Sequence, residues 1–173
     1  MSGRILVGDH NGVYIIRFEG DVRVTLSGSF DHYLESILRD ADLVSVLVDL
    51  SDAKAIDSTS LGVLAKLSIA VQQQREKLPT LVCGKPDILR ILHNMGFDDI
   101  FAIVDEVYQS AQNLAELPVA TDLDEESLRR QVIEAHTTLM EMNQRNHDTF
   151  KDLVGALEAE DRAQQIKTAH NGC

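Results

Sequence analysis

The chain has 173 residues, enough for one domain of ordinary size and an extension. Acids outnumber bases 28 to 16, for a net charge of −12, and no stretch gathers Lys and Arg into a basic stripe. Nucleic acid and anionic membrane surfaces are therefore not expected partners, since both are held by clustered positive charge. Aromatic residues make up 5% and Trp is absent, which argues against a surface built for stacking bases or sugars.

Met1 to Asp9 has no long apolar region, so a secretory signal is not expected. Ile5-Leu6-Val7 and Val13 to Glu19 read as paired strands, with Asp9-His10-Asn11-Gly12 as hairpin-turn chemistry between them. Phe30, Leu34, Ile37 and Leu38 lie at helical spacing and predict an amphipathic helix over residues 29–40. Leu43 to Leu50 is short, β-branched and apolar throughout, the pattern of a strand covered on both faces.

Ile56-Asp57-Ser58-Thr59-Ser60-Leu61-Gly62 follows, and then a helical pattern from Val63 to Gln74. Its apolar side is Leu61, Leu64, Ala65, Leu67, Ser68 and Val71. A short strand over Pro79–Gly84, a helix carrying Ile88, Leu89, Ile91, Leu92 and Met95, a strand over Ile100–Val104 and a helix over 107–117 complete an alternation of strand and helix. That alternation predicts an α/β layered domain with parallel strand pairs.

Pro118 to Asp122 reads as a break. The expected division is a domain over 1–117, a linker over 118–122 and a helical extension over 123–173. Residues 123–168 contain no Pro and one Gly, and Leu128, Val132, Ala135, Leu139 and Met142 step by four and three as a packing seam. Continuing the step reaches Asn146, Thr149, Leu153 and Ala156. The polar seam position fits either a helical hairpin turning near Asn146-His147-Asp148 or a long helix with a register-fixing Asn; the hairpin is the working expectation. The cover for its apolar face is the domain, a client protein or a second copy, the last giving a homodimer through residues 123–168. No stretch approaches the roughly 20 apolar residues that span a bilayer, so membrane insertion is not expected. Cys83 falls in a buried-strand pattern and Cys173 is the last residue; with no bridge expected, a reducing cytosol is the simplest compartment.

The hydroxyl cluster is where chemistry concentrates. A helix start presents unpaired N–H groups with partial positive charge, a favourable seat for a phosphoryl group. Ser58 is therefore read as a phosphorylation switch, with Thr59 as the secondary acceptor. The blander reading is that Asp57, Ser58, Thr59 and Ser60 cap a helix, and capping is expected to operate as well. Asp21 and Asp57 make a poor acid/base pair without a third group, so catalysis is not expected. His136 and His147 could share a helix face but make a poor metal site, and both are expected in solvent. The glycines form no phosphate-binding fingerprint, and no cofactor or metal is expected.

Asp57-Ser58-Thr59-Ser60-Leu61-Gly62 at a strand-to-helix junction closely resembles the signature of STAS-domain anti-sigma factor antagonists, Asp-Ser-(Ser/Thr)-(Gly/Ala)-Leu-Gly. Phe18-Glu19-Gly20-Asp21-Val22-Arg23 is similar to the family's Gly-x-Leu-Asp strand end. Met95-Gly96-Phe97 with Ile100-Phe101 is similar to its Leu-x-Gly-Leu-x-x-x-Phe. The resemblance covers about residues 5–117. It implies a small mixed sheet with helices packed mainly on one face, to which the C-terminal all-helical extension is added.

The resemblance also implies a regulator rather than an enzyme. The unphosphorylated form would bind an anti-sigma factor and so release a sigma factor. A serine kinase would modify Ser58, and a phosphatase would reverse it. The implied partner-binding residues are Asp21, Arg23, Asp57, Ser58, Thr59, Ser60, Leu61 and Gly62. Ser60 stands where Gly or Ala is usual, and should tighten the helix entry slightly. Arg23 stands where many members carry Asp, which bears on partner choice. The wording around Gly20 and the helical tail resemble a gamma-proteobacterial subgroup, implying control of motility and biofilm programmes with a response-regulator phosphatase or kinase upstream. Two other classes stay open: a STAS subunit docked on a membrane transport complex, and a nucleotide-sensing module.

Overall fold

Asn11 and Gly12 both take positive φ, 49° and 85°, the backbone that a two-residue hairpin turn needs. They join β1 (Arg4–His10) to β2 (Val13–Val22) as antiparallel neighbours, with Val7 opposite Ile16. The structure is a computed structural model and describes residues 2–106, 113–119 and 124–172, the side chain of Ser27 excepted.

From β2 the sheet continues in parallel through β3 (Ser45–Ile56), β4 (Thr80–Val82) and β5 (Ala102–Val104). A two-residue strand, β6 (Ala115–Glu116), pairs antiparallel with β1 at the other edge. The order is β5-β4-β3-β2-β1-β6, a six-stranded mixed sheet. Alternation separates its faces. Ile16, Phe18 and Val22 on β2 and Val46, Val48 and Leu50 on β3 are buried on one side. On the other side Arg17 pairs with Asp49 at 3.2 Å.

Helices α1 (Val24–Arg39) and α2 (Ser58–Arg75) cover the apolar side. Leu26, Phe30, Leu34 and Ile37 are the buried stripe of α1, and Phe30 meets Phe18 edge-on at 5.3 Å. A third helix among the described residues of the domain is α3 (Pro86–Asn94), followed by a short 3-10 turn at Phe97–Asp99. Gly96, at φ 84°, ends α3 in the left-handed conformation that suits glycine. This is the α/β architecture expected from the alternating pattern.

Three elements differ from the sequence reading. Helix α1 starts at Val24, five residues before the expected 29. The strand expected over 43–50 runs unbroken to Ile56, so it hands over directly to α2 and the expected loop is one residue, Asp57. Of the helix expected over 107–117, residues 107–112 lie outside the described residues. Its end is not helical: Ala115 and Glu116 form β6, because their backbone completes the free edge of β1.

The extension is a hairpin. Helix α4 (Glu125–Met142) and helix α5 (Gln144–Asn171) meet at Asn143, whose extended backbone (φ −163°) breaks the helix and whose side chain caps α5 by accepting from the Asn146 N–H at 2.8 Å. Arg129 reaches Asp161 at 3.3 Å and His136 meets Phe150 edge-on at 4.9 Å, so the two helices run antiparallel. The turn lies three residues before the expected Asn146. Its extra residue re-phases the seam: α5 buries Asn146, Phe150 and Val154, not Thr149, Leu153 and Ala156. The apolar face of α4 is covered by the domain of the same chain, with Ala135 and Leu139 joining the main core.

Candidate functional site

The C-terminal ends of β2 and β3 are neighbours, with Asp21 opposite Ala55 and Val22 opposite Ile56. Helices α1 and α2 both start from these ends. The starts are held by one carboxylate. Asp57 Oδ1 accepts from the Ser60 N–H at 2.8 Å and Oδ2 accepts from the Val24 N–H at 2.6 Å. The residue before α1, Arg23, offers no side-chain cap of its own, so Asp57 caps α2 locally and α1 from 33 residues away. Asp21, Arg23 and the hydroxyl cluster thus gather at the C-terminal ends of the two central strands.

Ser58 opens α2 and is half-buried. Its hydroxyl lies 2.8 Å from Nε2 of His136 on α4. The other ring nitrogen, Nδ1, is 2.7 Å from the Val132 carbonyl. A carbonyl only accepts, so Nδ1 donates to it, and in the tautomer this selects Nε2 is the acceptor for the Ser58 hydroxyl. His136 is 2% exposed. It was expected in solvent; instead it is packed between α2 and Phe150, because its partner is 78 residues away and invisible to local periodicity. His147, the other expected surface histidine, is exposed.

The rest of the cluster points inward. Thr59 and Ser60 are each 6% exposed, and Leu61, at 1%, is part of the core. The Ser60 hydroxyl has no hydrogen-bond partner and borders a cavity of about 10 Å³ lined by Phe18, Val22, Leu26, Phe30 and Val63. Gly62 faces α4 so closely that a Cβ there would lie 2.3 Å from the Ala135 carbonyl oxygen. Of the residues that the sequence marks for partner binding, Asp21 and Ser58 are half-buried and Arg23 is exposed.

Two features of the site escape sequence reading. Lys66, two turns along α2, is shared between Asp31 of α1 at 2.9 Å and Glu134 of α4 at 2.7 Å. Partial burial pulls the ammonium pKa down, but the bonds to the Glu134 and Asp31 carboxylates outweigh it and leave it raised. At the hairpin turn, Asn143 and Asn146 each donate a side-chain N–H to the Met95 carbonyl, at 3.3 Å and 2.9 Å, latching the extension to the end of α3.

Among the described residues no helix is long and apolar enough to cross a membrane. No curated protein matches the chain. Solved structures share its fold, two of them anti-sigma factor antagonists. An anti-sigma factor antagonist from Mycobacterium paratuberculosis is 22% identical, with 61% of this chain and 88% of that chain covered and a TM-score of 0.52. The anti-sigma factor antagonist SpoIIAA in its unphosphorylated form is 10% identical, with 60% and 89% covered and a TM-score of 0.51. Residues 4–113 match the STAS domain, well over half of the chain, and the chain belongs to the STAS domain family.

Proposed function

We propose that the chain is an anti-sigma factor antagonist whose docking is switched by phosphorylation of Ser58. The observation that carries this reading is the place of the Ser58 hydroxyl. It stands half-buried on the first residue of α2, beside a capping carboxylate and at the strand ends that also carry Asp21 and Arg23. Support also comes from the STAS family and from two structural neighbours described as anti-sigma factor antagonists.

The chemistry is simple. A serine kinase transfers the γ-phosphoryl group of a nucleoside triphosphate to Ser58 Oγ; the hydroxyl proton passes to a base on the kinase, and the nucleoside diphosphate leaves. A phosphatase reverses this by water attack on phosphorus, returning the hydroxyl and releasing phosphate. The modification adds about −1.5 to −2 charges near neutral pH. At a helix start the fold tolerates that charge. At a protein interface the same group must be desolvated, and it repels any facing carboxylate. The chain is then a substrate of regulation and not a catalyst, acting in the cytoplasm on the sigma factor released by its partner. Motility and biofilm programmes, with a response-regulator phosphatase or kinase upstream, are the outputs proposed from the subgroup resemblance.

Calorimetric titration of the full chain with an anti-sigma factor of the same genome tests the switch. Ser58→Ala is expected to bind at least as tightly as the unmodified chain, and Ser58→Asp about a hundredfold more weakly, a difference of about 2.7 kcal/mol. Equal affinities for the two variants would reject it.

A further inference from the structure

The α4–α5 hairpin lies beyond the family domain and adds Ala135, Leu139 and Phe150 to its core. The family match ends at residue 113, and 61% of this chain accounts for 88% of the Mycobacterium antagonist. The added hairpin lies across the first turns of α2. The crossing is closed at Gly62, where the backbone of α4 leaves no room for a Cβ. On either side of the crossing, Lys66 reaches Glu134 at 2.7 Å and Ser58 reaches His136 at 2.8 Å.

Resting on the reading of this surface as the docking site, we propose that α4 occupies it in cis as a stand-in for the partner. The partner docks by displacing α4 with a helix of the same make-up: a small residue opposite Gly62, a carboxylate opposite Lys66 and a hydrogen-bond acceptor opposite Ser58. Occupancy is exclusive, because backbones this close leave no space for a second helix. It is also exchangeable. When α4 lifts, water satisfies the hydroxyl, ammonium and carboxylate at its flanks, and the apolar surface it leaves beside Ala135 and Leu139 is covered again by the partner helix.

Ser58 sets the strength of the contact. A phosphoryl group on its oxygen cannot fit within the 2.8 Å gap to Nε2. His136 cannot retreat, since it is buried against Phe150 and held by Val132. If the modified side chain turns outward instead, Nε2 is left buried without its donor, which is costly. Either way the modified chain holds α4 less tightly.

Hydrogen exchange of the full chain, followed by mass spectrometry, tests this on the wild type, Ala135→Glu and Ser58→Asp. Both variants are expected to speed exchange about tenfold or more over residues 127–141 and 58–64, with β3 residues 45–50 unchanged. Should Ala135→Glu also lose protection in β3, it has unfolded, and His136→Ala supplies the same comparison. The anti-sigma factor is expected to bind Ala135→Glu about tenfold tighter than wild type, because the competitor is gone. Unchanged exchange in α4 on Ser58→Asp would overturn the coupling, and unchanged affinity for Ala135→Glu would overturn the competition. If Ser58→Asp frees α4 while no form of the chain binds the anti-sigma factor, the cis contact stands and the proposed function is what fails.

Discussion

A single carboxylate explains much of the local geometry. Asp57 accepts from two helix starts at once. Removing it takes this carboxylate away from the Ser60 and Val24 N–H groups. Asp57→Ala is expected to lower stability by about 2 kcal/mol, roughly a cap's worth at each helix, and Asp57→Asn by distinctly less, since Asn also caps. Urea unfolding reads both. Ser60 works the other way. Its hydroxyl is buried beside Phe18 and Phe30 with no partner, so the tightened helix entry expected of it is not a stabilising contact. Ser60→Ala is expected to raise stability by about 1 kcal/mol, because it removes a desolvated group and leaves the backbone unaltered; a lowered urea midpoint would count against this. At this scale the sequence announces the hydroxyl cluster and its cap. It does not announce His136, whose burial depends on a contact from another part of the chain.

Helix α2 shows why periodicity gives part of the answer. Its expected apolar side, Leu61 to Val71, is buried, but so are Thr59, Ser60, Gly62 and Val63. A helix covered nearly all round needs a second layer outside it, and α4 is that layer. The buried hydroxyls and glycine carry no hydrophobic signal, so a window scan reads them as solvent-facing. Helix α1 hides its start for a related reason: Val24, Thr25 and Gly28 are weak helix formers, and the cap comes from β3's far end. Helix α4 carries its own start signal. Asp124 accepts from the Ser127 N–H at 2.7 Å, and that backbone bond, followed by the Ser127 side chain, holds its carboxyl below the ordinary 3.8. A lowered native pKa means that the contribution is complete above the unfolded value and is lost as pH falls through the native one. Exchange in the first turn of α4 is therefore expected to be unchanged from pH 7 to 5 after correction for intrinsic rates, and to quicken below about pH 4. Asp124→Ala should abolish that acid step.

Over the whole molecule, sequence and structure agree where one face of an element is buried by its near neighbours. The β1–β2 hairpin and the alternation of strand with helix are of this kind, since apolar β-branched runs and a turn with Asn11 and Gly12 leave few alternatives. Agreement fails where distant segments close the structure. The edge strand β6 is set by the unpaired backbone of β1, and the seam of the extension by a one-residue break at Asn143.

The last turns of α5 have a mechanical consequence. Beyond Asp161 the helix continues to Asn171 with every residue exposed, a rod of about 15 Å at 1.5 Å per residue. Its first turns border the start of α4, with Gln164 and Thr168 beside Asp124 to Glu126, and its tip lies at the opposite end from the latch on Met95. Tilting about that latch sweeps the rod's tip through a wider arc than any point on α4. A spin label near its end would magnify a small lift over Ser58 into a readily measured change in distance from the sheet.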